Sequence, residues 1–117
     1  YERLEHEFPV AIRQVVEGML LEGVPRIASV ADAVGGSVRT LQRRLSDIDT
    51  TFSDIVEEAK MKSANRMMAQ SDCTLAEIAH GLGYSDQAHF TRAFRRWNGV
   101  SPGVFRRLKA QTTIDNG

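Results

Sequence analysis

The stretch Thr74–Pro102, TLAEIAHGLGYSDQAHFTRAFRRWNGVSP, decides the fold, because helix-start, helix-stop and turn signals follow one another in it at fixed spacing. Thr74 followed three residues later by Glu77 is a capping-box pattern. It opens a short helix with Leu75, Ile78, Ala79 and Leu82 on its apolar face. Gly83 ends that helix, since glycine takes at little cost the left-handed conformation that turns the chain sharply. Ser85 is placed to cap a second helix, in which Phe90, Phe94 and Trp97 recur at i, i+4 and i+7. Helix, tight turn and amphipathic helix together predict a helix-turn-helix.

Opposite the aromatic stripe, the second helix offers Gln87, Thr91, Arg92 and Arg95, donors and guanidinium forks suited to base edges and phosphates in a major groove. Taken alone, such a face is more often the ordinary solvated side of an amphipathic helix. An internal repeat separates the two readings. Val30-Ala31, Val34-Gly35 and Ser37 recur 48 positions later as Ile78-Ala79, Leu82-Gly83 and Ser85, and Leu41, Arg43, Leu45 and Ile48 recur 49 positions later as Phe90, Arg92, Phe94 and Trp97. The second copy has gained one residue. A polar face returns as well, as Arg39, Gln42 and Arg43 in the first copy. A merely solvated face has no reason to bring Arg43 and Arg92 back in one helical phase.

The rest of the chain is arranged around these two copies. Residues 1–26 hold an N-terminal helix, regular from Phe8 to Leu21 and stopped by Gly23 and Pro25, that packs on the first motif. Residues 27–50 are the first helix-turn-helix: a short helix from Ile27 to Val34, started at Arg26 or Ser29, then Gly35-Gly36, then a helix capped by Ser37 with Leu41, Leu45 and Ile48 inward. Residues 51–71 form a linker helix capped by Thr51, with Phe52, Ile55, Val56, Ala59, Met67 and Met68 as its stripe. Methionine at helical spacing reads as core packing. About 19 residues at 1.5 Å each give roughly 28 Å, near the ~34 Å between successive major grooves on one face of a duplex. Residues 72–110 contain the second motif and a closing helix, which Ser101-Pro102 opens and which turns Val104, Phe105 and Leu108 inward. Residues 111–117 read as a disordered tail.

Composition excludes several classes of function. With 117 residues, 42% of them hydrophobic, the chain is one modest all-α domain or two very small ones sharing an element. No segment approaches the roughly 20 apolar residues that span a bilayer, and no signal peptide opens the chain, so the expected place is the cytoplasm and no membrane partner is expected. The single Cys73 excludes an internal disulfide and offers no metal pair. His6 falls in an acidic segment, His80 on the polar side of its helix, and His89 beside the aromatic stripe as a packing or edge residue. None belongs to a catalytic constellation, and Gly35-Gly36 lacks the spacing of a phosphate loop. No enzyme, cofactor or metal is expected. The formal charge is zero, but its distribution is uneven: residues 1–35 carry three basic groups against six acidic ones, a net of −3, whereas residues 84–117 carry six basic groups against two acidic ones, a net of +4. A segregated field of that kind lets one face meet a polyanion while the whole chain stays neutral.

From Val30 to Arg107 the sequence resembles the DNA-binding domain of AraC/XylS-type transcriptional regulators, most specifically over TLAEIAHGLGYSDQAHFTRAFRRWNGVSPGVFRR and more weakly over VADAVGGSVRTLQRRL. It departs from the usual pattern at Gly36, where a larger apolar residue normally closes the turn, and at Leu45, where phenylalanine is common. The resemblance implies an all-α unit of seven helices with two helix-turn-helix motifs joined by one long linker helix. It also implies that Arg39, Gln42 and Arg43 of the first motif and Gln87, Ala88, Thr91 and Arg92 of the second read bases, while Ser37, Ser85, Arg95 and Arg96 clamp the DNA backbone. Double-stranded DNA and RNA polymerase are the partners it implies. Such regulators usually carry a sensor or dimerisation domain before this unit, and the chain starts at Tyr1 without an initiating methionine, so a fragment is expected. The competing expectation is a helical protein-interaction module on a helix-turn-helix scaffold that does not bind DNA.

Overall fold

A computed structural model describes the backbone of residues 2–70 and 72–116 and the side chains of residues 8–70 and 72–110. Among the described residues there are seven helices and no strand: α1 Glu2–Leu20, α2 Ile27–Ala33, α3 Val38–Asp47, α4 Phe52–Gln70, α5 Leu75–Gly81, α6 Gln87–Asn98 and α7 Pro102–Asn116. The chain divides into two compact units, residues 1–60 and 61–117, each with its own core. Helix α4 contributes to both, because its apolar positions switch from Ile55, Val56 and Ala59 in the first core to Ala64 and Met68 in the second.

In the first unit, Ile12, Val16 and Leu20 of α1 meet Val30 and Ala31 of α2 and Leu41 and Leu45 of α3, all buried. Burying each large side chain of this set stabilises by about 1.5–3 kcal/mol, which explains why α2 can be only seven residues long. Helix α2 starts at Ile27 without a side-chain cap: Arg26 is extended, and its carbonyl accepts the Val30 N–H at 3.1 Å. Ser29 therefore lies inside the helix. Two further expectations fail in this unit. Helix α1 begins at Glu2 rather than Phe8 and carries Pro9 inside, so an interior proline, which forfeits one backbone hydrogen bond, is tolerated here rather than marking the start. Ile48 does not continue the Leu41–Leu45 stripe, because α3 ends at Asp47 and Ile48, its C-cap, is 38% exposed.

The second unit is built on an aromatic run. Phe90 and Phe94 are fully buried; their centroids lie 5.8 Å apart, with Tyr84 5.7 Å from Phe90 and Phe105 5.2 Å from Phe94 in an edge-on arrangement. Ala93 completes the buried face of α6, which the i, i+4, i+7 pattern passes over. Thr51 Oγ1 accepts the Asp54 N–H at 3.1 Å and so caps α4, as its sequence predicts. Ser101 Oγ accepts the Val104 N–H at 3.3 Å and opens α7 with Pro102 buried at its first position. Leu108, expected inside, is 51% exposed, since it lies beyond the reach of the aromatic run. The backbone of residues 111–116 continues α7 instead of forming the expected tail, for no proline or glycine interrupts the chain between Val104 and Asn116.

The two interhelical turns share one hydrogen-bond pattern. In the first, the Gly35 N–H donates to the Asp32 carbonyl at 3.2 Å and the Gly36 N–H to the Ala31 carbonyl at 3.0 Å; in the second, Gly83 donates to His80 at 3.0 Å and Tyr84 to Ala79 at 3.0 Å. Each is a Schellman motif with a left-handed glycine, φ +79° at Gly35 and +87° at Gly83. The residue that follows differs: Tyr84 packs against the second core, whereas Gly36 has no side chain to offer. Replacing Gly83 with valine should lower the melting temperature, because a β-branched residue is strained at that φ; an unchanged melting temperature would contradict the turn. Gly36→Ala should act the other way, raising stability by about 0.4–1 kcal/mol in a denaturant titration, because an added Cβ meets nothing within 4 Å and the unfolded chain loses freedom.

Candidate nucleic-acid interface

Each second helix is set by the residue that caps it. Ser37 Oγ accepts the Thr40 N–H at 3.1 Å and donates to Thr40 Oγ1 at 3.0 Å. In the second motif the cap is Asp86 rather than Ser85: its Oδ1 accepts the His89 N–H at 2.8 Å, and α6 starts at Gln87. An ionised carboxylate outcompetes a hydroxyl for the exposed N–H groups at a helix start. Ser85 instead lies with its Oγ 3.3 Å from His89 Nδ1, which is also 3.3 Å from Asp86 Oδ2. The backbone N–H of His89 holds the Asp86 carboxyl below its ordinary value against a smaller opposing effect of desolvation, and the nearby Arg92 guanidinium adds to the lowering. The cap thus stays ionised at neutral pH, and its contribution is lost only as pH falls through that lowered value.

Moving the cap to Asp86 puts cap and second helix of each motif on one offset of 49, from Ser37 to Asp86 and from Val38 to Gln87, while the first helix and the turn glycine keep an offset of 48. Counted from the caps, Arg39, Gln42, Arg43 and Ser46 of α3 then occupy the places of Ala88, Thr91, Arg92 and Arg95 of α6. Spaced i, i+3, i+4 and i+7, each set forms one stripe along its helix. The buried side chains of the same helices, Leu41 and Leu45 in α3 and Phe90 and Phe94 in α6, lie off the stripe. Arg39, Gln42 and Arg43 are exposed, as are Gln87, Ala88, Arg92, Arg95 and Arg96; Thr91 is half-buried. Arg95 and Arg96 stand in the last turn of α6, where cationic side chains complement the helix dipole.

Other basic groups are committed elsewhere. The Arg44 guanidinium lies 3.8 Å over the Phe8 ring, which ties α3 to α1. Arg13 Nε donates to Glu58 Oε2 at 3.3 Å between α1 and α4. Arg106, counted by charge among the basic groups of the C-terminal segment, donates from Nε to the Met68 carbonyl at 3.2 Å and from an Nη to the Cys73 carbonyl at 2.9 Å. That side chain holds the end of α4 and the start of α5 to α7, a role with no local sequence signal. His80 is exposed on the polar side of α5; His89, expected at the packed edge, is exposed; His6 and its side chain fall outside the described residues. Among the described residues no group of three or more His, Cys, Asp and Glu side chains could hold a metal, and no helix is long and apolar enough to cross a membrane.

The helix-turn-helix domain family matches residues 30–108. The regulator VqsM of Pseudomonas aeruginosa is 34% identical over 99 residues, covering 81% of this chain but only 30% of VqsM. The chain therefore spans under a third of that relative's length. A DNA-binding transcriptional dual regulator from Escherichia coli K-12 superposes with a TM-score of 0.80 at 20% identity, covering 88% of this chain and 92% of that one. The DNA-binding domain of AdpA, solved in complex with a target DNA, superposes with a TM-score of 0.67 at 24% identity over 83% of this chain and 90% of that one. With the second helix-turn-helix whole, and the first from Val30 onward, inside the matched span, the chain belongs to the AraC-type helix-turn-helix family of transcription regulators.

Proposed function

We propose that this chain binds double-stranded DNA sequence-specifically, α3 and α6 entering successive major grooves, as the DNA-binding part of a bacterial transcription regulator. The observation that carries this reading is the recurrence, at one offset from two helix caps, of a stripe off the buried face, with the exposed Arg43 and Arg92 in equivalent places. Arg39, Gln42 and Arg43 read bases in one half-site, and Gln87, Ala88, Thr91 and Arg92 read them in the other. Ser37, Ser85, Arg95 and Arg96 contact the phosphate backbone. A guanidinium reads guanine through paired bonds to O6 and N7, and a glutamine reads adenine. AdpA, with the same fold, was solved on DNA, which supports the choice of partner. A sensor or dimerisation domain elsewhere in the full protein, contact with RNA polymerase and a cytoplasmic location complete the proposal. The relatives' greater length is in keeping with the first of these.

Arg92→Ala should weaken binding to a selected site by about 1–3 kcal/mol and relax discrimination at one base pair. Gel retardation on selected and random duplexes over a salt series checks this. Wild type should lose affinity steeply as salt rises, and equal weakening of both duplexes by the variant would make Arg92 a phosphate contact instead. A chain that retards no duplex in low salt would favour a protein-interaction module.

The two stripes are unlike, so the site should be asymmetric. One helix, α4, belongs to both units, so the spacing between half-sites should be strict. Inserting about half a helical turn of base pairs between them should reduce affinity to that of one motif alone. Tolerance of the insertion, or a two-to-one complex on a palindrome, would overturn the bipartite monomer.

A further inference from the structure

Apolar packing, with its edge-on aromatic contacts, holds α6 in its unit. The far end of the helix carries a different kind of contact. Asn98, the last residue of α6, donates from Nδ2 to Asn65 Oδ1 at 3.0 Å, and Asn65 of α4 donates from Nδ2 to Asn98 Oδ1 at 3.1 Å. Asn98 Nδ2 also lies 3.3 Å from the Phe94 carbonyl, which aligns its amide with its own helix. Both side chains are half-buried. A reciprocal amide pair closes only when the two head groups face each other antiparallel, so it accepts one rotation and one axial position of α6 against α4.

We propose that the Asn65–Asn98 pair is a positioning device for the recognition helix, fixing the phase at which Gln87, Thr91 and Arg92 meet base edges. The proposal rests on the DNA-binding reading above and deepens it. Asn98 and Gln87 stand at opposite ends of α6, about 16 Å apart by helix rise, so a rotation released at Asn98 is felt along the whole base-reading stripe. Phosphate contacts tolerate such a shift because a phosphate accepts from many directions, whereas paired bonds to a base edge do not. Losing the pair therefore removes discrimination before it removes affinity.

Asn65→Asp tests this at constant volume, on a residue outside α6. An ionised carboxylate accepts from Asn98 Nδ2 but turns its second oxygen against Asn98 Oδ1, so half the pair is lost; once protonated, the acid donates to that oxygen and the pair is restored. At neutral pH the variant should bind its selected site about tenfold more weakly with random-duplex affinity nearly unchanged, and should regain discrimination relative to wild type as pH falls toward the carboxyl range. Equal weakening of both duplexes, or a loss that acidification leaves in place, would overturn the proposal. Should Asn65→Asp not fold, the double variant Asn65→Leu with Asn98→Leu decides: it keeps the volume and removes the direction, so it should keep the melting temperature and lose discrimination, and full discrimination would overturn the pair's role. A wild-type chain that binds no duplex refutes the DNA reading alone. The pair is then judged by backbone amide shifts of Asn65→Asp, which should move along Gln87–Asn98 and return on acidification; shifts confined to α4 would overturn it.

Discussion

Two glycines with φ near +80° carry the geometry on which both motifs depend. At each, a helix must end, satisfy its last carbonyls and release the chain toward a new axis within a few residues. The Schellman bonds do all three at once: Ala31 and Asp32, then Ala79 and His80, have their carbonyls taken by the amides that follow the helix. A side chain at Gly35 or Gly83 would set the left-handed strain of roughly 1–2 kcal/mol against those bonds. The apolar faces then close behind the turn, with Val30 and Leu41 on one core and Ile78 and Phe90 on the other.

Charge economy explains how a neutral chain presents a cationic stripe. Arg44, Arg13 and Arg106 are engaged with a ring, a carboxylate and two carbonyls, respectively. They organise helices. Arg43, Arg92 and Arg95 remain exposed on stripes that the cores leave uncovered. Formal charge sums both kinds and so says little about the field that an approaching polyanion would meet.

The architecture was legible because its signals are local. Glycine at a left-handed position, a capping side chain and a 3.6-residue apolar period each act within one or two turns, and the repeat doubled every one of them. The capping pattern at Thr74 holds, with the Glu77 N–H donating to Thr74 Oγ1 at 3.1 Å. What was missed is mostly non-local or a contest between neighbours. Ser85 and Asp86 are both acceptable caps by residue type; the offset of 49 that relates Leu41, Arg43 and Leu45 to Phe90, Arg92 and Phe94, carried back to Ser37, points to Asp86. The Arg106 anchor spans 33 and 38 positions to its two carbonyls, and Asn65 pairs with Asn98 across 33. No periodicity announces such contacts. Ile48 and Leu108 kept the period but lay where the core had already ended, which a pattern cannot register.

The difference between Gly36 and Tyr84 gives the two motifs unequal local stability. Behind the second turn, the Tyr84 ring packs at a tilt against Phe90, centroids 5.7 Å apart, so opening that turn exposes part of the core as well as breaking its bonds. Behind the first, opening the turn breaks backbone bonds and uncovers no side chain of Gly36. Sub-global opening is therefore easier in the first motif, and its amides belong to a lower rung of the exchange ladder than those of the second. The first motif is the half able to adapt its backbone at low energetic cost, and the second is the half that enters any encounter already preorganised.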